Sequence, residues 1–237
     1  FMTSDNILAE REQAERYTKV VKAMNGKPVT FRMFDAGGDK PLPFLEIPAE
    51  ENPALGWRGG RLLLGHESLL RTQARAIAAA SLHGPVNVMY PMIVDINQFR
   101  ALKQAFLSAV EGIKAGQMKH GVMFEVPSAC LAAKELLEEA DFGSIGTNDL
   151  IQYLFAVDRN NELVAYDYSP DRKVFWKLLG QICSAARETG KPLSVCGELA
   201  GDPRYTAQLI ETGINTVSVS TRLIPGVRRA AGKRTKA

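Results

Sequence analysis

The sequence FGSIGTND at residues 142–149 joins an apolar, glycine-containing run to an amide and a carboxylate, Asn148 and Asp149. A short apolar run between glycines and charges is typical of a strand that is buried on both faces of a parallel sheet. We therefore expect Asn148 and Asp149 to lie at the carboxyl end of a buried strand, where parallel α/β folds place their reactive groups.

Two further apolar runs end in reactive side chains in the same manner. The run VMF at residues 122–124 precedes Glu125, and the run LSV at residues 193–195 precedes Cys196. Together with Asp149, these residues place two carboxylates and a thiol at the ends of separate strands. That arrangement predicts one site assembled on a parallel sheet, and it indicates an enzyme.

Strands and helices alternate along the chain, which favours a parallel α/β fold. A (β/α)₈ barrel of the TIM type explains why reactive residues recur at successive strand ends, whereas a doubly wound sheet does not. Six strands are predicted and the barrel has eight, so we expect the first two to lie upstream of a single domain at residues 1–237. The predicted strands are Val29–Phe34, Val86–Ile93, Val122–Val126, Phe142–Thr147, Leu193–Cys196 and Thr216–Ser220, and the predicted helices are 9–24, 62–81, 96–115, 128–139, 149–157, 171–189 and 203–212.

Composition and charge exclude several classes of protein. The chain of 237 residues has a formal net charge of +3 that is spread along its length, so no surface for nucleic acid or membrane is predicted. No apolar stretch reaches the roughly 18 residues of a membrane span, and no signal peptide opens the chain. The basic cluster at residues 228–236 is expected to be a frayed, solvated tail.

The cysteines and histidines are few and widely spaced. Three cysteines form neither a disulfide framework nor a CxxC metal pair, so a reducing cytoplasm is the expected location. The histidines lack a metal-binding spacing, and each is expected at the surface or at the end of a loop. These residues are Cys130, Cys183 and Cys196, and His66, His83 and His120.

Glu125 and Asp149 form a candidate pair of metal ligands from neighbouring strands. A hard divalent ion such as Mg²⁺ takes one or two protein carboxylates and completes its octahedron with oxygens of water and substrate. Each acid also has a simpler interpretation as a helix cap, because Asp149 precedes Leu150 and Glu125 precedes the helix start at Pro127. Their equivalent places at strand ends favour the metal site.

Three arginines near strand ends are candidates for binding an anion. Arg32 lies inside the first predicted strand, while Arg58 and Arg159 lie in the segments after strands or helices. The planar guanidinium group suits phosphate and carboxylate. A charged residue within a strand is costly unless it faces a polar site, so Arg32 is the strongest candidate. The alternative for all three is a surface salt bridge.

Two other features allow a bland and a functional interpretation. The loop at residues 37–40, GGDK, offers backbone N–H groups for an anion nest, but it is also an ordinary turn sequence. Cys196 is followed by Gly197, which permits close approach of the backbone. A lone cysteine in an apolar strand is usually a core residue, whereas an accessible thiol could act as a general acid.

These residues fall in the motifs of a known family. From about residue 30 to residue 225, the chain resembles the C-terminal phosphoenolpyruvate (PEP)-binding domain of PEP-protein phosphotransferase. That protein is Enzyme I of the sugar phosphotransferase system, or its nitrogen-related paralogue. PEP synthases and pyruvate phosphate dikinases share the barrel, but the loop at residues 37–40 looks more like that of Enzyme I. The motifs are DAGGDK (35–40), ENP (51–53), GWR (56–58), VMFEVP (122–127), SIGTNDL (144–150), DR (158–159) and CGELAGD (196–202).

The resemblance implies a Mg²⁺-dependent transfer of the phosphoryl group from PEP to a histidine on a separate N-terminal domain, with release of pyruvate. Glu125 and Asp149 would hold Mg²⁺, and Cys196 would protonate C3 of enolpyruvate. The isolated chain is then expected to bind PEP without turnover. Further implied partners are a second copy of the chain and a small HPr-like phosphocarrier protein. The residues that would bind PEP are Arg32, Arg58, Asn148 and Arg159.

Several positions depart from the family pattern. Met33 and Val126 stand where the family usually has threonine, and Asn160 stands where it usually has glycine. A further family arginine, in an Arg-Thr-Glu-Phe-like motif, would fall upstream of residue 1. None of the three histidines lies in the phosphoryl-accepting motif. The charged groups persist, so these changes are expected to tune affinity.

Two other classes of function stay open. A metal-dependent lyase or aldolase that acts on a pyruvate enolate would also use Glu and Asp on a barrel. It would need neither a cluster of phosphate-binding arginines nor an acid at Cys196. A non-catalytic regulatory or dimerisation module would keep the fold, although retention of every metal and arginine position counts against it. The sequence does not discriminate between the sugar and the nitrogen-related branch.

Overall fold

The computed structural model describes residues 2–3, 6–36 and 50–232. The chain divides into two compact units: Phe1–Met92 with Asn97–Gly121, and Ile93–Ile96 with Val122–Ala237. The strands are β1 (Met2–Thr3), β2 (Asn6–Ile7), β3 (Val29–Arg32), β4 (Val86–Tyr90), β5 (Met118–Phe124), β6 (Phe142–Gly146) and β7 (Leu193–Cys196). The α-helices are α1 (Glu10–Ala23), α2 (Gly60–Gly65), α3 (Glu67–Ser81), α4 (Ile96–Ala109), α5 (Pro127–Leu131), α6 (Ala133–Glu139), α7 (Thr147–Leu154), α8 (Lys173–Thr189), α9 (Glu198–Gly201), α10 (Thr206–Thr212) and α11 (Ile224–Gly232).

The main sheet has the hydrogen-bonded strand order β3-β4-β5-β6-β7, which is also the order of the sequence. In the first unit β3 and β4 pair in parallel, and Arg32 lies opposite Met89. In the second unit β6 and β7 pair in parallel, and Gly146 lies opposite Cys196. Helices separate the successive strands. The predicted parallel α/β fold is therefore confirmed.

The prediction of a sixth strand at Thr216–Ser220 is wrong. Only one isolated parallel bridge, between Val195 and Val217, joins this segment to β7. The hydroxyl-bearing residues around Val217 are mostly exposed, so the segment lacks the apolar face that would extend the pairing. A short antiparallel pair of β1 and β2, which the sequence did not predict, lies near the start of the chain.

Two predicted helices are each divided in two. The predicted helix at 62–81 breaks at His66, whose backbone has φ −121° and ψ 73°. A Cβ at Gly65 would lie 2.6 Å from the indole of Trp57, and the His66 ring packs on the same indole at 4.7 Å. Packing against Trp57 thus accompanies the break. The predicted helix at 128–139 breaks at Ala132, where ψ is 22°.

Polar groups are paired within the interior of the first unit. The carboxamide of Gln73 on α3 accepts a hydrogen bond from the Phe34 N–H (2.8 Å) and donates to the Arg32 carbonyl (3.1 Å). Because the Met33 N–H between them donates to Met89 on β4, these two groups lie on the outer edge of β3, where Gln73 takes the place of a strand partner. His120, expected at a loop end, is instead buried in β5, where its Nδ1 lies 2.9 Å from the hydroxyl of Tyr90.

Helix α8 packs against helices α5, α6 and α10 in the second unit. The inner face of α8 buries Phe175, Leu179 and Ile182 completely. Gly190 ends the helix in the left-handed conformation that glycine favours. The expected basic tail is partly helical, since residues 228–229 lie in α11, while residues 233–236 fall outside the described residues. No helix in the described ranges has the length and hydropathy to cross a membrane.

Candidate functional site

The carboxyl end of β6 carries the polar residues that the sequence singled out. All five residues of β6 are buried, and helix α7 begins immediately after the strand, at Thr147. The helix begins two residues before its predicted start at Asp149, so Asn148 and Asp149 both lie in the first turn of α7. Asp149 is 8% exposed. A carboxylate in the first turn is favoured by the free N–H groups and the positive end of the helix dipole.

Glu125 follows β5 and is almost completely buried, with 1% of its surface exposed. An ideal Cβ placed on Gly146 would lie 2.6 Å from Oε2 of Glu125, so the carboxylate packs against the bare backbone at the end of β6. Burial first, and then the charge of Glu125, raises the pKa of the Cys130 thiol. Cys130 is buried in α5 and is therefore an inert core thiol.

The carboxylates of Glu125 and Asp149 fit a magnesium ion in their chemistry. They follow β5 and β6, which are neighbours in the sheet. Among the described residues, no group of three or more His, Cys, Asp and Glu side chains could enclose a metal ion. A pair of buried carboxylates without imidazole or thiolate suits a hard cation that takes its remaining oxygens from water and substrate, and it does not suit zinc.

Cys196 is half-buried at the end of β7 and is held by polar contacts from β6. Its thiol donates to the Ile145 carbonyl at 3.4 Å, and the Ser144 hydroxyl donates to its sulfur at 3.8 Å. The Ser194 hydroxyl in turn donates to Ser144 at 3.1 Å. Ser144, Ser194 and Cys196 lie on one face, because Ser144 is opposite Ser194 and alternate residues share a face.

Gly197, the residue after Cys196, lies close to the start of α7. Its φ of +96° lies in the region that favours glycine, and a Cβ there would overlap Oγ1 of Thr147. The Thr147 hydroxyl donates to the Cys196 carbonyl at 2.8 Å. The side-chain oxygen of Asn148 accepts the Glu198 N–H at 2.9 Å. The ends of β6 and β7 are therefore joined by direct hydrogen bonds.

Arg159 is positioned by two residues that the sequence analysis did not select. Its backbone N–H donates to the carboxamide of Gln152 on α7 at 3.1 Å. Its guanidinium group hydrogen-bonds the hydroxyl of Tyr168, which itself donates to the Asn148 carbonyl at 3.1 Å. Burial raises the pKa of Tyr168, the positive charge of Arg159 opposes that rise, and the carboxylates of Glu198 and Asp149 add to it.

The other two predicted arginines meet at one carboxylate in the first unit. Nη2 of Arg58 lies 3.1 Å and 3.3 Å from the two oxygens of Asp35, and both side chains are buried. Nη1 of Arg32 lies 3.7 Å from the same carboxylate, and 40% of the Arg32 side chain is exposed. Arg58 thus forms a buried ion pair, and the surface salt bridge considered for it is wrong. The sequence did not predict a role for Asp35, although an acid three residues after Arg32 is a possible ion-pair partner.

One predicted feature lies outside the described residues, and four predicted site residues lie together in the second unit. The predicted anion nest at residues 37–40 lies outside the described residues. Within the second unit, the structure brings together Asn148, Asp149, Arg159 and Cys196 through the contacts described above. Tyr168, Gln152 and Ser144 are supporting residues of this unit that the sequence did not predict. A lone serine in an apolar strand was the one signal available for Ser144, and Tyr168 lies in a loop with no periodic pattern.

The comparisons with known proteins agree with these motifs. Residues 1–235 match the family model described as PEP-utilising enzyme, PEP-binding domain. Phosphoenolpyruvate-protein phosphotransferase of Listeria monocytogenes is 42% identical over 230 residues, which cover 94% of this chain and 40% of that protein. Multiphosphoryl transfer protein 1 of Escherichia coli K12 is 41% identical over 234 residues, which cover 96% of this chain and 28% of that protein. The chain thus spans less than half the length of these curated relatives.

A solved structure shows a similar fold at low identity. The malate synthase of Haloferax volcanii, in its magnesium and glyoxylate complex, has a TM-score of 0.60 with 13% identity, over 93% of this chain and 61% of that chain. Identity this low establishes likeness of fold alone. The family match over nearly the whole chain, together with relatives at 41–42% identity, is decisive. The chain therefore belongs to the family of PEP-utilising enzymes, in which it is a PEP-binding domain.

Proposed function

We propose that this chain is the PEP-binding domain of a PEP-protein phosphotransferase. Its reaction would transfer the phosphoryl group of PEP to a histidine on a separate N-terminal domain and release pyruvate. The observation that carries the proposal is the hydrogen-bonded junction of β6 and β7. There Asn148 is joined to Arg159 through Tyr168 and to the backbone of Glu198, two residues after the half-buried Cys196, and Asp149 follows Asn148 in α7. Phosphoryl transfer needs such charge-neutralising and positioning groups more than it needs covalent chemistry.

In this proposal Glu125 and Asp149 hold Mg²⁺. Held by these two carboxylates, the ion would supply positive charge beside the phosphoryl oxygens. The support is the donor set itself, which consists of two carboxylates that are 1% and 8% exposed. Gly146 contributes by leaving room for the Glu125 carboxylate at the end of β6.

The PEP anion is bound by arginines and by an amide. Arg159 and Asn148 are connected through Tyr168, so their positions are mutually fixed. Arg32 is the more exposed of the two first-unit arginines, and we assign it direct contact with the ligand. Arg58 is the fourth member of the set, and its pairing with Asp35 orients its guanidinium group.

Cys196 acts as the acid that completes the reaction. When the phosphoryl group has left, enolpyruvate gains a C3–H bond as the S–H bond of Cys196 breaks, and the enolate oxygen becomes the ketone of pyruvate. The electron pair of the S–H bond stays on sulfur as a thiolate. The hydroxyl of Ser144, which already points its hydrogen at that sulfur, supports the thiolate.

The wider context belongs to the same proposal. The acceptor histidine lies in another domain of the longer protein, and an HPr-like phosphocarrier receives the phosphoryl group afterwards. We further propose that the five strands of the main sheet belong to one (β/α)₈ barrel domain, that the protein is a homodimer, and that it works in the cytoplasm. The relatives' names support the phosphotransferase chemistry. The alternative, a metal-dependent lyase or aldolase that acts on a pyruvate enolate, has no role for the Cys196 thiol.

Thermal unfolding with and without Mg²⁺ plus PEP tests the proposal. A ligand present at about 100 times its Kd adds about 2.7 kcal/mol to the free energy of unfolding, which raises Tm by about 5–10 °C for a chain of this size. Asp149→Ala should abolish the rise. Asp171→Ala is the matched control, because its carboxylate accepts a hydrogen bond from Tyr205 instead. A rise that does not need Mg²⁺, or that survives in Asp149→Ala, contradicts the metal assignment.

A further inference from the structure

The loop that joins α7 to α8 contains two tyrosines with different surroundings. Tyr166 is 77% exposed, whereas Tyr168 is half-buried and turns back onto the start of α7. The two ends of the loop are fastened by Arg172, whose guanidinium group pairs with Asp167 and packs over the ring of Phe155 at 4.8 Å. The loop therefore presents the Tyr168 hydroxyl in a defined place.

The hydroxyl of Tyr168 makes two hydrogen bonds of opposite direction. It donates to the main-chain carbonyl of Asn148 and accepts from the guanidinium group of Arg159. A phenol that is protonated at neutral pH can do both at once, and burial favours the protonated form. The side chain of Arg159 is thus tied to the first turn of α7, where Asp149 also lies.

The backbone at Arg159 is held separately from its side chain. Gln152, which is 8% exposed on α7, accepts the Arg159 N–H at 3.1 Å. An arginine side chain has several rotatable bonds, so fixing its backbone alone leaves the guanidinium group free to sample many positions. The contact with Tyr168 orients the charged end of the side chain toward α7.

We propose that Tyr168 is a positioning residue for PEP, because its hydroxyl joins the Arg159 guanidinium group to the Asn148 main chain and so fixes two ligand-binding residues relative to each other. The inference rests on the proposed function. Preorganised charged groups bind an anion more tightly because less freedom is lost on binding. Tyr168 itself need not touch the substrate.

The test compares two tyrosine-to-phenylalanine variants of the full chain by calorimetric titration with PEP in the presence of Mg²⁺. Tyr168→Phe keeps the ring and removes the hydroxyl. We expect about tenfold weaker PEP binding, the size typical of losing one hydrogen bond to a charged group. Tyr205→Phe is the matched control, because it removes a hydroxyl that donates to Asp171 at 2.9 Å. Its affinity should equal that of the wild type.

A double variant decides whether Tyr168 acts through Arg159. If it does, Tyr168→Phe should cause no additional loss of affinity in an Arg159→Ala background, because the two residues act as one unit. If the losses of PEP-binding free energy in the two single variants add up in the double variant, the inference is overturned. Equal weakening in Tyr168→Phe and Tyr205→Phe also overturns it, since that result reports a general loss of order.

The outcomes separate this inference from the proposed function. Wild-type affinity in Tyr168→Phe, with PEP bound normally by the wild type, overturns the role of Tyr168 and leaves the PEP-binding proposal intact. Failure of the wild type itself to bind PEP at any Mg²⁺ concentration overturns both. In the longer phosphotransferase, the expected signature is a raised KM for PEP with kcat changed less than twofold, since the groups that react are untouched.

Discussion

The Glu125 carboxylate packs directly on Gly146, so that an ideal Cβ at Gly146 would lie 2.6 Å from Oε2 and 3.0 Å from Cβ of Glu125. The acid at the end of β5 therefore takes its place because the last residue of β6 has no side chain. This contact connects the packing of two strand ends to the chemistry proposed for the site.

The first prediction concerns this contact. Gly146→Ala should displace the Glu125 carboxylate and weaken Mg²⁺-dependent PEP binding at least tenfold, because a buried acid has little room to move. The measurement is a Mg²⁺ titration of PEP binding by calorimetry. Gly180→Ala is the control, because no atom lies within 4 Å of a Cβ at that helical position. It should leave binding unchanged and raise stability by about 0.5–1 kcal/mol. If the Mg²⁺ dependence of PEP binding is unchanged in Gly146→Ala, Glu125 is not a ligand of the metal ion.

The second prediction concerns the buried ion pair of the first unit. Asp35→Asn removes the charge that faces Arg58, whose side chain is 3% exposed. Breaking a buried pair by neutralising one partner typically costs about 3–5 kcal/mol, because the other charge stays in a medium of low polarity. Urea unfolding monitored by circular dichroism measures the loss. The exposed pair of Arg11 and Glu15 serves as the control, and Glu15→Gln should change nothing measurable. A similarly small effect of Asp35→Asn would show that the pair contributes nothing to stability.

The third prediction separates a phosphotransferase from a lyase. In the complete protein, Cys196→Ala should abolish pyruvate release at high PEP while PEP binding is kept, because the thiol supplies only a proton. A lyase should be largely indifferent to this change. Coupled pyruvate assays and calorimetry on the same preparation provide the two readings. Cys183→Ala, a buried cysteine on the α8 helix, is the control that should retain turnover. Full activity in Cys196→Ala would exclude the acid role.

The fourth prediction concerns Ser144, whose hydroxyl donates to the Cys196 sulfur. Ser144→Ala should slow pyruvate release severalfold, because the thiolate left after proton transfer loses a donor. PEP affinity should stay unchanged. Ser81→Ala deletes an equally buried hydroxyl that donates to a main-chain carbonyl in the first unit, and it reports the cost of a lost hydroxyl alone. Equal slowing in both variants would count against a direct effect on Cys196.

The fifth prediction is a pH dependence of stability. Burial raises the pKa of the Cys183 thiol from 9.0 to about 11. The thiol of the unfolded chain ionises first as pH rises, so its contribution to stability is complete below about pH 9 and is lost between about pH 9 and 11. The free energy of unfolding, measured in urea across this pH range, should therefore fall more steeply with pH for the wild type than for Cys183→Ala. Parallel curves would show that Cys183 has no such role.

Much of the fold could be predicted because local patterns were strong. Strand β7 was predicted as Leu193–Cys196 and has those bounds in the structure. The boundary errors have tertiary causes. The break at His66 follows packing against Trp57, and the segment around Val217 forms a single bridge because it is polar and exposed. The contact with Trp57 and the exposure of the segment around Val217 become visible only in the folded chain.

The candidate site was predicted in its charged members and missed in its supporting ones. Asn148 and Asp149 follow an apolar strand, so their place at a strand end could be read directly. Tyr168 contacts Asn148 across twenty residues of sequence, through a loop without regular pattern. Asp35 pairs with Arg58 across 23 residues. Such contacts depend on how loops return, which local patterns do not encode.

The sequence by itself determined the alternation of strands and helices, the reactive residues at three strand ends, and the family, because these properties depend on neighbouring residues along the chain. Only the tertiary structure decided which groups hold those residues in place. The glycine beneath Glu125 and the serine beside Cys196 come from the neighbouring strand β6, whereas the tyrosine on Arg159 comes from further along the same loop between α7 and α8. These contacts exist only once the chain has folded, because they depend on how strands pair and on how a loop returns.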